Sequence, residues 1–436
     1  MVQKIDKFLA FAILFINGWN WSLPVVLLEA MPIWFTPIQV VHGLFLYELL
    51  FLIYLVFLLV IRGGRVTIGK HDGSSIVFCI IIGLGCFGIV SNVINVQQLR
   101  EIGESGRLFF LAAYFLVLIY WTKKHGPTFV LRTFLLGVAI AGLINIYYSY
   151  VIRFREIDGL FFLLGQNGPG GILGLSVVLS AWLMLERKSW IDVVVAILVC
   201  VVGLFAASIS YSKLSILMAC SGLVAWVFIL LQLLFGHGSR KSSIVILIFL
   251  LSFLISNFRP IRQYVQSVNS FINNKFINSK RSVESRAQYF VTVSEILLHH
   301  PLFGVGSGGF YEAVIKTEGY HYKESCKEDI KSGKEGKSNP HNSFLYYAAA
   351  NGFPGLFLCV FLFIMALHLF RKSLLSRGIS GKILWCCLTF AYFIYGMTLP
   401  TLYNSIVLYL PIAFAIVVTN QQYLISPKNI NFKKGY

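Results

Sequence analysis

The sequence has little charge for its length. Only 12% of its 436 residues are charged, whereas 57% are hydrophobic. A soluble domain of ordinary composition carries about twice that charged fraction. So little charge excludes an ordinary soluble protein, and the repeated apolar runs of about 20 residues have the length that crosses a hydrocarbon core. The composition therefore predicts an all-α, polytopic membrane protein, since the strands of a membrane barrel would be shorter and would alternate.

Twelve apolar runs predict about twelve transmembrane helices joined by short loops and one long one. The predicted spans lie near residues 8–29, 38–61, 75–95, 107–121, 128–151, 168–185, 191–207, 213–235, 243–257, 343–370, 383–399 and 402–420. The predicted organisation is residues 1–257 for membrane helices 1–9, residues 258–342 for a long loop with an amphipathic helix, and residues 343–436 for membrane helices 10–12 and a cytoplasmic tail.

The placement of the basic residues predicts the orientation. With the N-terminus in the cytoplasm, the short cytoplasmic segments hold 19 Lys and Arg, and the short external segments hold five. Because basic loops are retained in the cytoplasm, this asymmetry places the long 258–342 loop outside. The formal charge of +18 is then explained by topology, and no nucleic-acid partner is predicted.

Motifs for nucleotide, metal and disulfide chemistry are missing. Seven of the eight cysteines lie inside predicted spans, and only Cys326 lies in the external loop, so no disulfide framework is predicted. The sequence has no Walker A loop, HExxH, CxxC pair or acidic metal triad. Residues 304–309 match GxGxxG, but no buried strand precedes them, so they are interpreted as a tight turn. The sequence therefore predicts neither a metal nor a cofactor.

Polar residues concentrate instead around His341. This histidine follows Pro340, which suits the first turn of a helix, and it precedes an apolar run that ends at residues 352–355. The pattern places the imidazole at the outer lip of the tenth span, where a histidine can accept a proton near neutral pH. A histidine hydrogen-bonded locally at the interface would give the same pattern. A proton acceptor is favoured here because several cations are predicted on the same side.

Arg286 is the first of these cations. It lies in a segment from Ser285 whose apolar residues recur with helical spacing, and this predicts an amphipathic helix that stops before Pro301. The helix is expected to lie on the membrane or against the bundle, with Arg286 on its apolar side. An arginine in that position needs an anionic partner, and phosphate is a suitable one.

The external ends of spans five, six and eight add further polar groups. Arg153 and Arg155 follow span five, and Lys213, at the start of span eight, either snorkels or contacts a ligand. Asn167 belongs to the segment 165–171, which is either a helix-entry loop or a set of backbone N–H groups that favours anions. A base surrounded by cations suits a reaction in which a hydroxyl loses its proton and an anionic group leaves.

The motifs around these groups resemble the O-antigen ligase and O-antigen polymerase superfamily. The large external loop before span ten also fits that family. One position departs, because the family commonly has Arg where this sequence has Lys213, and a lysine keeps the charge but loses the bidentate fork. The segments that carry the resemblance are Arg286, residues 300–310, residues 340–345 and residues 351–355, with weaker matches at residues 165–169 and 208–213.

The resemblance implies a GT-C-like glycosyltransferase of the bacterial inner membrane, with its active site on the periplasmic side and without a metal or a nucleotide sugar. The implied donor is a glycan on undecaprenyl pyrophosphate. The implied base on the acceptor hydroxyl is His341, and Arg286 and Lys213 would hold the pyrophosphate. The further candidates for substrate binding are Arg153, Arg155, Asn342 and Asn167.

Three functions fit these features. The first is a polymerase for O-antigen or capsular polysaccharide, whose acceptor is a lipid-linked repeat unit and whose partners include membrane lipids and a chain-length regulator. The second is the ligase that moves the same donor onto lipid A-core in lipopolysaccharide biosynthesis. The third is a transporter of lipid-linked glycans, which predicts charges along the midplane of the bundle. Few such charges occur apart from Glu48, so transfer is favoured over transport.

Overall fold

The structure is a computed structural model that describes residues 2–22, 39–41, 44–62, 73–95, 99–147, 167–209, 213–235, 289–310, 313, 340, 342–398 and 406–425. Apart from one short strand pair, the regular elements in these ranges are helices. The helices are α1 (Val2–Ser22), α2 (Leu46–Arg62), α3 (Ser74–Ile94), α4 (Leu99–His125), α5 (Pro127–Tyr147), α6 (Asn167–Leu185), α7 (Trp190–Ile209), α8 (Lys213–Phe235), α9 (Tyr289–His299), α10 (Ser343–Leu374), α11 (Gly378–Thr398) and α12 (Ile406–Ile425). A 3₁₀ turn (Leu375–Arg377) joins α10 to α11, and β1 (Gln39–Val41) pairs antiparallel with β2 (Leu44–Phe45).

The helices follow the predicted spans. Every predicted span overlaps a helix except residues 243–257, which lie outside the described residues. Helix α4 starts earlier than predicted, at Leu99, because the polar residues up to Arg107 continue the helix. Within the described ranges, six segments are both long and apolar enough to cross a bilayer: Ser74–Ile94, Ser105–His125, Pro127–Ile144, Trp190–Ala207, Ser215–Leu233 and Ser343–Met397, the last containing both α10 and α11. The helical, multi-pass class is therefore confirmed, and the count of twelve remains a prediction.

Small residues let the helices of the bundle approach closely. On α8, a Cβ added to Gly222 would lie 2.7 Å from the backbone nitrogen of Val178 on α6. On α6, a Cβ at Gly174 would lie 2.6 Å from the carbonyl oxygen of Ser215 at the start of α8. Close backbone approach at small residues is typical of helix packing in membranes. Helices α6 and α8 therefore pack side by side along their length, with their N-terminal ends together.

Buried charges meet at the end of the bundle where α1 starts and α4 ends. The carboxylate of Asp6 is almost fully buried there. It accepts a hydrogen bond from the hydroxyl of Tyr54 at 2.6 Å, in addition to the ion pairs given below. The same end carries the junctions between α4 and α5 and between α6 and α7. Because α10 ends here with Arg371 and Lys372, the start of α10 lies at the opposite end. The ion pairs at this end are Lys124–Asp6 at 2.5 Å, His125–Asp6 at 2.9 Å, Arg132–Asp192 at 3.0 Å and Arg377–Glu186 at 2.6 Å.

Candidate functional site

Helix α10 begins directly after the predicted catalytic residue. Asn342 is the N-cap in an extended conformation, and its side-chain oxygen accepts hydrogen bonds from the backbone N–H groups of Phe344 at 2.9 Å and Leu345 at 3.2 Å. These bonds satisfy two of the N–H groups that a helix start leaves unpaired. The Nδ2 of Asn342 lies 3.3 Å from the sulfur of Met397, so the start of α10 is tied to the end of α11. The oxygen of Asn342 thus serves the helix, and its amide N–H group is the part that can meet a substrate.

Helix α10 is broken at Gly352, nine residues after it starts. Gly352 has φ 66° and ψ −159°, outside the helical region. Pro354, two residues further on, has no backbone N–H to donate. A break of this kind frees backbone donors and acceptors, which need partners inside a membrane protein. The turn at residues 301–309 supplies the partners. Phe353 N donates to Pro301 O at 2.8 Å, Val305 N donates to Ala349 O at 2.9 Å, and Gly306 N donates to Ala350 O at 3.1 Å.

The turn itself depends on glycine, as the sequence predicted. Gly304 and Gly306 have φ values of 58° and 78°. Residues other than glycine rarely adopt this region of backbone conformation. A Cβ at Gly304 would also collide with the carbonyl oxygen of Ala349, and one at Gly352 would collide with the carbonyl oxygen of Pro301. The GxGxxG pattern is therefore a tight turn that docks by backbone contact onto the broken helix, and we call residues 300–309 the docked turn.

Polar residues at the end of α3 hold the docked turn from the other side. Ser91 is fully buried, and its hydroxyl lies within hydrogen-bonding distance of the carbonyl oxygens of Phe303 and, at 2.5 Å, Ala350. The side-chain oxygen of Asn92 accepts from Ser307 N at 2.8 Å, and its Nδ2 donates to the hydroxyl of Ser105 on α4 at 3.0 Å. The turn is thereby hydrogen-bonded to two helices, α3 and α10, and Asn92 also links α3 to α4. Sequence reasoning missed Ser91 and Asn92, although polar residues at the end of an apolar span were the available signal.

Helix α9 confirms the predicted helix before Pro301. It ends at His299, before the proline. Its inner face packs on the first half of α10, with Val293 and Ile296 in one buried cluster with Phe310, Ala348 and Ala349. It is described from Tyr289, so the predicted cap Ser285 lies outside the described residues. Because α9 runs directly into the docked turn, α9 is fixed relative to the start of α10.

The starts of α6, α8 and α10 lie at the same end of the bundle. A Cβ at Gly171, in the first turns of α6, would lie 3.2 Å from the ring of Tyr395 near the end of α11. Met397, two residues further along α11, contacts Asn342, and Gly174 faces Ser215 at the start of α8. Three helix starts therefore gather around the end of α11. Each helix start carries partial positive charge from the helix dipole, and together the three starts favour an anion.

The predicted site residues map onto this end unevenly. Asn342 is described in full, and Asn167 and Lys213 are the first residues of α6 and α8, so the structure brings these three helix starts together. The side chains of Asn167 and Lys213 lie outside the described part of the chain, and so do His341, Arg286, Arg153 and Arg155. Their roles therefore remain predictions. Among the described residues, no three His, Cys, Asp or Glu side chains are grouped so that they could hold a metal ion.

The fold defines a multi-pass helical membrane protein, with three helix starts gathered at one end of its bundle. Residues 198–360 match the family model described as O-antigen ligase, and no curated protein matches the chain. The matched range holds α8, α9, the docked turn and α10 beyond its break. This match confirms the resemblance to the O-antigen ligase and polymerase superfamily and supports a glycosyltransferase-like enzyme with ligase-like or polymerase-like function. The matched range does not include α3, although Ser91 and Asn92 of α3 hold the docked turn in place.

Proposed function

We propose that the protein is a polysaccharide polymerase of the bacterial inner membrane. It would transfer a glycan from undecaprenyl pyrophosphate to an acceptor hydroxyl on the periplasmic face, lengthening an O-antigen or a capsular polysaccharide. The observation that carries this proposal is the convergence of three helix starts, those of α6, α8 and α10, within a chain that carries an O-antigen ligase domain. A pyrophosphate is an anion, and helix starts are suited to bind one.

His341 is the proposed base. It immediately precedes the N-cap Asn342, so the backbone that carries it is connected to the start of α10. In the proposed step the acceptor hydroxyl gives its proton to the imidazole as its oxygen forms a new bond to the anomeric carbon of the donor. The bond between that carbon and the pyrophosphate oxygen breaks, and the lipid pyrophosphate leaves with the electron pair. General-base catalysis of this kind contributes about 10²–10⁴ in rate.

The leaving pyrophosphate gains negative charge, and fixed positive groups stabilise it. The proposal assigns this role to Arg286 and Lys213, with Arg153 and Arg155 as further contacts and no metal or cofactor. Lys213 is the first residue of α8, where its charge would add to the positive end of the helix. Arg286 precedes Tyr289, the first described residue of α9, which the docked turn connects to α10. Asn342 and Asn167 are the proposed hydrogen-bond donors to the donor glycan.

A ligase is the second candidate, because the matched family model is described as O-antigen ligase. It would use the same base and the same anion site, and it would differ in its acceptor, lipid A-core instead of a lipid-linked repeat unit. The alternative therefore concerns the acceptor and not the chemistry. A chain-length regulator is a proposed partner of the polymerase only.

The surface polysaccharide of a deletion strain distinguishes the two. Loss of a polymerase is expected to leave lipopolysaccharide capped by a single repeat unit, whereas loss of a ligase leaves lipopolysaccharide without any O-antigen and lipid-linked polymer accumulates. A gel of lipopolysaccharide from the deletion strain, complemented by the wild-type gene as control, reads out both. An unchanged ladder, together with unchanged capsule, would reject both functions.

A further inference from the structure

Among the residues that the structure describes, α9 packs with one apolar side and exposes further apolar side chains on its other side. The inner face, with Val293 and Ile296, is buried against α10. The outer side carries Phe290, which is 62% exposed, and Leu298, which is 78% exposed. Ser294 lies between them, and its hydroxyl donates to the carbonyl oxygen of Phe290 at 2.9 Å. Leu302, at the head of the docked turn, is also 62% exposed. A helix that rests on a bundle in water exposes polar residues on its outer side, so a second apolar face needs an apolar partner.

The length of α10 indicates the depth at which α9 lies. Residues 352–370 contain no Asp, Glu, Lys or Arg, and at 1.5 Å per residue they extend over about 28 Å, close to the thickness of a hydrocarbon core. The basic residues Arg371 and Lys372 follow at once. Counted from these basic residues as the inner boundary, Gly352 lies near the outer boundary of the core. Because Phe353 N donates to Pro301 O at 2.8 Å, the docked turn and the end of α9 lie at that boundary.

Helix α3 indicates the same depth independently. It is a candidate membrane span from Ser74 to Ile94, and the residue that follows it, Asn95, donates from Nδ2 to the carbonyl oxygen of Gly304 at 3.3 Å. The docked turn is thus level with the outer end of a second helix that can cross the membrane. Two helices therefore place the end of α9 at the edge of the hydrocarbon core.

The exposed Leu302 of the docked turn adjoins the exposed apolar side chains of α10, because it follows Pro301, whose carbonyl oxygen accepts from Phe353 N. Below the docked turn, Phe353 and Phe357 are stacked on each other with ring centroids 6.1 Å apart, and they are 40% and 66% exposed. An apolar groove of about 360 Å³ continues this surface downward along α10, past Phe361 and Ile364. Exposed apolar side chains on a membrane span and on a turn docked at its outer end fit the same partner, and that partner is lipid.

We propose that α9 is an interfacial helix, with Phe290, Val291, Leu298 and Leu302 inserted between the lipids of the outer leaflet. The inner face then holds the helix on α10, and the outer face holds it in the membrane. The occupant is the bilayer itself, and not a partner protein or another segment of the loop. This proposal does not depend on the reaction that the protein catalyses.

Site-specific photocrosslinking tests the proposal in the full-length protein in native membranes. A benzophenone amino acid replaces Phe290 or Leu298 in separate variants, and it replaces the neighbouring His299 as the matched control, since His299 is exposed but lies off the outer apolar face. After illumination, mass spectrometry of the purified chain identifies the adducts. We expect adducts on phospholipid acyl chains at positions 290 and 298, at least about tenfold above position 299.

Adducts with another segment of this chain or with another protein at positions 290 and 298 would overturn the proposal. So would equal acyl-chain labelling at all three positions, or labelling of none. A second measurement guards against misfolding of the labelled variants. Phe290→Ser combined with Leu298→Ser is expected to leave thermal unfolding in detergent unchanged, because neither side chain belongs to the buried cluster. In lipid nanodiscs the same pair should raise amide exchange in residues 289–299 about tenfold, and unchanged exchange would contradict membrane contact.

Discussion

At the scale of single residues, Asn342 has two separable roles. Its side-chain oxygen caps α10, and its amide N–H group is the proposed contact to the donor. Asn342→Ala is expected to lower the free energy of unfolding by about 1 kcal/mol through the lost cap. Asn342→Asp keeps a cap oxygen, so its melting temperature in detergent should equal that of the wild type. The new negative charge should nevertheless raise the KM for the pyrophosphate-linked donor at least tenfold. Wild-type kinetics in Asn342→Asp would show that Asn342 does not contact the donor.

The capping role was available from the sequence, and the prediction gave Asn342 a substrate role alone. An asparagine directly before an apolar helical run is a common N-cap, and Pro340 with the following run already located the start of α10. The side chains that hold the docked turn were not predictable in the same way. Ser91 and Phe303, like Asn92 and Ser307, are more than 200 residues apart in the chain, and one sequence carries no local pattern for such a contact.

At the scale of elements, the break in α10 and the docked turn are expected to form a single unit. Gly352→Ala adds a side chain at φ 66° and drives it into the carbonyl oxygen of Pro301. Gly378→Ala is the matched control, because Gly378 has φ 71° but its missing Cβ would meet nothing within 4 Å. The control should cost about 1–2 kcal/mol from backbone strain alone. Gly352→Ala should cost clearly more and should abolish transfer, since it displaces the turn between α9 and α10.

Thermal unfolding of both variants in detergent, together with transfer activity, checks this prediction. Equal destabilisation by the two substitutions would mean that the contact with Pro301 contributes nothing. The elements themselves show what the sequence could provide. Hydropathy located the helices, and proline located the end of α9. The glycines predicted a turn but could not indicate that it docks onto a broken helix, because that role depends on the backbone groups freed at Gly352.

At the scale of the whole molecule, the two ends of the bundle differ in chemistry. One end gathers three helix starts and the docked turn. The other end gathers ion pairs whose carboxylates are buried. Burial raises the pKa of Asp6, but hydrogen bonds from His125, Lys124 and Tyr54 outweigh it and hold the pKa below its usual value. A carboxyl group with a depressed pKa in the folded state stabilises the fold above its unfolded pKa of about 3.9 and loses this contribution as the pH falls.

Asp6→Asn is therefore expected to lower the melting temperature at pH 7 and to flatten its decline between about pH 5 and pH 2. Glu186→Gln is the contrasting variant. Burial raises the pKa of Glu186, although Arg377 partly offsets this effect, so replacing its carboxylate should cost little at pH 7. Melting curves of both variants across this pH range provide the check. A pH profile of Asp6→Asn parallel to that of the wild type would show that Asp6 does not control acid stability.

The proposed transfer depends on a proton acceptor at residue 341 that works beside an anion site formed by helix starts. The most direct measurement is glycan transfer by purified His341→Ala in lipid, with His299→Ala as the control, because His299 is an exposed histidine at the end of α9. We expect a loss of about 10²–10⁴ in kcat, with an unchanged donor KM and melting temperature, while the control keeps full activity. Transfer by His341→Ala at the wild-type rate would contradict the proposal.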